Sequence, residues 1–178
     1  MNLYILRHAS AGIRRPNPLV DSKRPLDKEG KKHCLQLAHV LNALDIQFDL
    51  IASSPLKRCL QTASLIGTET GYEAQILHSA ALSPTATLRD FQKLLNDCAK
   101  AENLLVVGHN PNLTSFLGSL LVPASTVATP GIRLRKGTLA RLSLSRRPAI
   151  LQGLLDPRTI RALYATSTKS SRRKTSRK

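Results

Sequence analysis

Two short apolar runs, Leu3-Tyr4-Ile5-Leu6 and Leu104-Leu105-Val106-Val107, limit what this chain can fold into more than any other feature. Neither alternates apolar with polar residues. A strand that is apolar at every position needs cover on both faces, which is the habit of parallel sheets wrapped by helices. Each run stops near a histidine: Arg7-His8 follows the first and Gly108-His109 the second. Phe48-Asp49-Leu50-Ile51-Ala52 reads as a further strand. Cys34, Leu37, Ala38, Leu41 and Leu44 recur at three and four residues, which predicts a helix with one apolar face and Asp27 as its N-cap. Leu88, Phe91, Leu94, Leu95 and Cys98 predict another, opened by the segment from Ser83-Pro84 through Thr87. Ser53-Ser54-Pro55 and Asn110-Pro111 read as helix starts with a polar cap and a proline in the first turn. After Gly131 the pattern alternates. Leu139, Arg141, Leu142 and Leu144, then Ile150, Leu151, Leu154 and Leu155, predict a terminal hairpin or edge strands. Strands alternating with helices predict an α/β fold, a three-layer α/β/α sandwich with a mostly parallel central sheet.

The chain has 178 residues, enough for one domain with a sizeable core. Aromatics are only 3%, so that core is built from Leu, Ile, Val and Ala. No apolar run approaches the length of a membrane-spanning helix, and the N-terminus does not read as a signal peptide. Cys34, Cys59 and Cys98 have no paired spacing and read as reduced, buried residues of a cytoplasmic protein. The net charge of +16 is unevenly placed: residues 1–130 carry 13 basic and 10 acidic residues, residues 131–178 carry 14 basic residues and Asp156 alone. We expect a domain over 1–165 and a disordered basic tail over 166–178, because six cations in the last ten residues leave nothing apolar to bury. Such a tail is a solubilising end or a contact for a polyanion.

In open α/β sheets, ligands collect beyond the carboxyl ends of the strands. Arg7, His8 and His109 follow two strands there, and Arg58 lies in the first turn of a helix that follows a third. Guanidinium forks match phosphate oxygens, and helix N-termini favour anions. A neutral imidazole is a nitrogen nucleophile near pH 7, and flanking cations offset charge spreading over a transferring phosphoryl group. A His-Arg-Arg-His cluster therefore suits phosphoryl transfer without a metal or cofactor. No Cys-x5-Arg loop, phosphate-binding Gly-x4-Gly-Lys-Ser/Thr loop or Gly-x-Ser-x-Gly elbow occurs, which excludes three other chemistries.

Leu6-Arg7-His8, Ser53 through Ala63 and Val106-Val107-Gly108-His109-Asn110-Pro111 together resemble the histidine phosphatase superfamily, the phosphoglycerate-mutase-like fold. Arg7-His8-Ala9 followed by Arg24-Pro25-Leu26-Asp27-Lys28-Glu29-Gly30 resembles its SixA-type phosphohistidine phosphatase branch. The resemblance implies that His8 accepts the phosphoryl group, that Arg7 and Arg58 clamp it, and that His109 holds its oxygens. Ser10 and Asn110 are adjacent candidates for substrate binding. Relatives acting on alkyl phosphates carry a carboxylic acid in the segment between the Arg58 and His109 blocks; in the stretch His78 through Asp90 the only acid here is Asp90, with Glu102, before the last core strand, as the alternative. The gap favours a labile donor, phosphohistidine in a protein, over a small phosphorylated metabolite. A module that merely grips phosphate or a polyanion through the basic C-terminal region is the competing class.

Overall fold

The computed structural model describes residues 1–123 and 131–175, with side chains described through Thr166. Along the chain run β1 (Asn2–Arg7), α1 (Pro18–Ser22), α2 (Lys28–Ala43), β2 (Leu50–Ser53), α3 (Lys57–Glu69), β3 (Leu77–His78), a 3-10 turn (Ala80–Leu82), α4 (Leu88–Asp97), β4 (Asn103–Gly108), α5 (Asn112–Leu121), β5 (Leu139–Ser143), β6 (Ile150–Leu155) and α6 (Pro157–Thr175). The strands form one sheet in the order β3-β2-β4-β1-β5-β6. The pairs β2–β3, β2–β4 and β1–β4 are parallel, and only β5 runs against its neighbours.

The two-sided burial expected of the apolar runs is what layers the molecule. Tyr4 and Leu6 point into a core with Leu37 and Leu41 of α2, Cys59 and Ile66 of α3, and Ile160 of α6. Leu3 and Ile5 point the other way, against Phe91 and Leu95 of α4 and Phe116 and Leu117 of α5. Each such Leu or Ile removed from water contributes about 1.5–3 kcal/mol. Phe91 and Phe116 stack with ring centroids 4.5 Å apart. The three cysteines are free and buried, as expected. Among the described residues no helix is long and apolar enough to cross a membrane.

Several local readings shift. Asp27 does cap α2, accepting from the Gly30 amide. Ser54 does not cap α3, which begins at Lys57 behind Leu56 without a side-chain cap, because the Ser54 hydroxyl is engaged elsewhere. Asn110 does not cap α5 either; its amide group donates to the Leu134 carbonyl, and Pro111 occupies the cap position. α4 opens later than Ser83, at a capping box in which Thr87 and Asp90 bond each other reciprocally. α6 was not anticipated, although Asp156, which accepts from the Arg158 amide, and Pro157 mark its start. Its backbone stays helical to Thr175, through most of the segment expected to be a disordered tail. The residues there are free of Gly and Pro, so nothing local ends the helix. The side chains beyond Thr166, and residues 176–178 altogether, lie outside the described residues.

Candidate active site

Sheet register builds the site. β1 and β4 pair with Arg7 opposite Gly108, so the next residue of each strand, His8 and His109, must emerge side by side. The ladder runs one step further, with the His8 amide donating to the Gly108 carbonyl at 3.1 Å. The two rings lie 5.1 Å apart between centroids. β2 extends in the same way: the Ser54 amide donates to the Val107 carbonyl, which brings Ser54 beside His109. Arg58 follows in the first turn of α3. Arg7, His8, Arg58 and His109 all line one cleft of about 600 Å³.

The protons can be assigned from the partners. His8 Nδ1 lies 2.8 Å from the Ala9 carbonyl, which can only accept, so Nδ1 carries the hydrogen and Nε2 keeps its lone pair. Arg58 Nη2 faces His109 Nδ1 at 3.4 Å and can only donate, so His109 Nε2 carries the hydrogen and donates to Ser54 Oγ at 2.9 Å. Burial, and then the charges of Arg58, Arg7 and Lys136, hold His8 down at about 3. Burial, then His8 and both arginines, hold His109 at about 3 as well. Both imidazoles are therefore neutral at pH 7.

The arginines are fixed from behind. Arg7 Nη1 donates to the Leu134 carbonyl at 2.8 Å. Arg58 Nη1 donates to the carbonyl and the carboxylate of Asp21, at 3.0 and 3.2 Å. Arg7 Nε and Arg58 Nε are buried with no hydrogen-bond partner among the described residues. An oxyanion between them would satisfy both. Six cations, Arg7, Arg14, Arg15, Arg24, Arg58 and Lys136, line the cleft against one carboxylate, Asp21. Asp21 is held at about 2, by the Arg24 side chain first and then by the Arg15 amide. It is a permanent anion that orients Arg58 and Arg24 rather than a proton donor. In sequence Asp21 and Arg24 read equally as residues shaping the loop over the site and as an ordinary loop salt bridge; in the fold Asp21 bonds both Arg24 and Arg58. Cys59, beside His109, stays a thiol because burial pushes it up to about 12.

The remaining candidates divide. Ser10 lies outside the cleft lining and donates its hydroxyl to Asp27 at 2.6 Å. Asn110 lines the cleft; its Nδ2 donates to the Leu134 carbonyl at 3.0 Å, and its Oδ1 is buried with no hydrogen-bond partner among the described residues. Asp90 is exposed, with its carboxylate bonded to the Thr87 amide and hydroxyl at 2.9 and 2.7 Å. Glu102 directly precedes β4, at the end of the strand opposite His109. Among the described residues no group of His, Cys, Asp or Glu is arranged to hold a metal ion.

The buried histidines carry a stability cost in acid. The unfolded chain protonates them near pH 6.5 and the folded chain only near 3, so the unfolded state binds more protons between these values. Stability is present in full above pH 6.5 and falls as the pH is lowered through that window. The expected loss between pH 7 and pH 5 is about 2–4 kcal/mol, on the order of 1.4 kcal/mol per pH unit for each histidine below 6.5. Urea unfolding at the two pH values measures it. Inorganic phosphate should reduce the loss, since a bound anion favours the imidazolium; a pH-independent midpoint would contradict the assigned neutral state.

Comparison with known proteins gives the family and the fold. A family model described as the histidine phosphatase superfamily (branch 1) matches residues 3–82, which include Arg7, His8 and Arg58. An uncharacterized protein of Picosynechococcus is 34% identical over 116 residues, covering 64% of this chain and 68% of that one. The structure of the protein histidine phosphatase SixA complexed with tungstate is similar, with a TM-score of 0.72 at 22% identity, covering 88% of this chain and 97% of that one. An alpha-ribazole phosphatase from Shigella flexneri has a TM-score of 0.65 at 17% identity, covering 88% of this chain and 97% of that one.

Proposed function

From the premise that this chain belongs to the histidine phosphatase superfamily, we propose that it is a phosphohydrolase acting through a covalent intermediate on His8, with phosphohistidine in a protein as its substrate. The observation that carries the reading is the locked tautomer of His8, which presents Nε2 as a free lone pair beside two arginines and a second imidazole. In the first step Nε2 attacks phosphorus. The bond from phosphorus to the leaving group breaks, and the leaving group departs with the electron pair and takes a proton. In the second step water attacks phospho-His8, the P–Nε2 bond breaks and returns its pair to the ring, and inorganic phosphate leaves. Arg7, Arg58 and His109 offset the charge on the equatorial oxygens. The chemistry asks for no metal or cofactor.

The preference for a phosphorus–nitrogen bond rests on the carboxylates. All eleven acidic residues lie within the described segments, and Asp21, already ionised, is the only one lining the cleft. An alkoxide leaving group needs a proton donor; an imidazole needs far less help. The similarity to an alpha-ribazole phosphatase keeps a small phosphorylated metabolite as the second reading. Phosphate release from a phosphohistidine peptide, phosphoserine and a sugar phosphate separates them. The proposal expects the first to be fastest by a hundredfold or more, about the worth of one general acid. A sugar phosphate as the best substrate would overturn it, and binding of all three without release would leave a phosphate-binding module.

A further inference from the structure

The catalytic cleft is not the only basic hollow. A second chamber, of about 640 Å³, adjoins it and shares Arg7, Asn110 and Lys136 with it. Beyond those shared residues its cations come from three separate elements: Lys32 on α2, Arg133 and Arg135 from the segment before β5, and Arg161 on α6. Glu29 is the one carboxylate in the lining. Arg135 is paired with Asp156 at 2.7 Å, and no carboxylate of the described residues pairs with Lys32, Arg133, Lys136 or Arg161.

The segment that carries these cations is held firmly. The Leu134 side chain is buried in the core, and its carbonyl accepts from both Arg7 and Asn110. The Gly137 amide donates to the Arg7 and His8 carbonyls at 3.0 and 3.2 Å. The Gly137 carbonyl lies 2.9 Å from Nε2 of buried His33, and a side chain at 137, where φ is +81°, would collide with that ring. Arg133 and Lys136 are thus presented from an anchored backbone directly beside the phosphoryl site.

We infer that this chamber is a recognition subsite for an acidic polypeptide segment flanking the phosphorylated residue of the substrate. The inference rests on the phosphatase reading and adds what the enzyme selects. A compact small molecule calls for convergent, enclosed donors. Here Lys32, Arg133, Lys136 and Arg161 are exposed and spread over three elements, which suits an extended anionic chain attracted along a charged surface.

The test uses the full chain and its K32S/R133S/R161S variant, none of whose altered residues lines the catalytic cleft. The substrates are p-nitrophenyl phosphate, a phosphohistidine peptide with Asp and Glu flanks, the same peptide with Asn and Gln flanks, and a sugar monophosphate and bisphosphate pair. The wild type should favour the acidic peptide by about tenfold in kcat/KM, mainly through KM, and the preference should shrink at high salt. The variant should lose the preference and keep its rate on p-nitrophenyl phosphate, which also shows that it is folded. Equal kcat/KM for the two peptides in the wild type would overturn the subsite. So would an equal loss on both in the variant, or a preference for the bisphosphate that the variant abolishes while the peptides go undistinguished. If wild type releases phosphate from none of these substrates, the catalytic reading fails first. The subsite is then judged by peptide affinity alone, where equal binding of the acidic and neutral peptides would overturn it.

Discussion

His8→Ala is expected to lower turnover by more than about a thousandfold, because in the proposed mechanism it removes the atom that forms the covalent bond. Binding of phosphate or tungstate should survive in part, since Arg7, Arg58 and His109 are held by contacts that do not involve the His8 ring: the Leu134 carbonyl, Asp21 and Ser54. His109→Ala should cost about a hundredfold to a thousandfold, the scale of one preorganised donor. The two variants differ further in what accumulates. Wild type and His109→Ala, quenched in alkali during turnover, should carry acid-labile phosphate on His8, and His8→Ala should carry none. Wild-type turnover in His8→Ala would remove His8 as the nucleophile.

Leaving-group quality should set the rate over a comparable range. The Thr87 contacts hold Asp90 in a capping box, Glu102 sits at the far end of β4, and Asp21 is spoken for by arginines. With no protonated carboxylic acid at the cleft, aryl phosphates and phosphoramidates should exceed alkyl phosphates by about a hundredfold to ten-thousandfold. A series of phosphate esters graded in leaving-group pKa would give a steep line, unchanged in Asp90→Asn. A shallow line in the wild type, made steep by Asp90→Asn, would show that Asp90 reaches the cleft after all.

Much of this is legible in the amino-acid order alone. Short runs apolar at every position fit strands covered on both faces, and the candidate site residues stand at their carboxyl ends: Arg7-His8, His109, and Arg58 after a third strand. These are local signals backed by strand topology. The hidden part depends on partners distant in sequence. Ser54 looks like a helix cap because Ser-Pro pairs usually are one. Its hydroxyl instead meets His109, 55 residues away. Asp21 and Arg24 read equally as residues shaping the loop over the site and as an ordinary loop pair until Arg58 arrives from α3. Ser10 and Asn110 adjoin the key histidines in sequence, and only the fold shows that the Ser10 hydroxyl goes to Asp27 and the Asn110 Nδ2 to Leu134. The cations at 133, 136 and 161 are visible in sequence only as part of a generally basic C-terminal third, and the fold gathers them around one chamber.

The way Arg7 is held has a consequence for how such an enzyme can change. Its partner is the carbonyl of Leu134, a main-chain atom that every amino acid supplies. Substitutions at 133 alter the charge offered to a substrate and leave that carbonyl where it is, provided residue 134 stays apolar enough to remain buried. Selectivity and catalytic geometry are therefore separable traits on adjacent residues. Duplicated copies of this chain could drift toward different targets, one surface charge at a time, without first passing through an inactive intermediate.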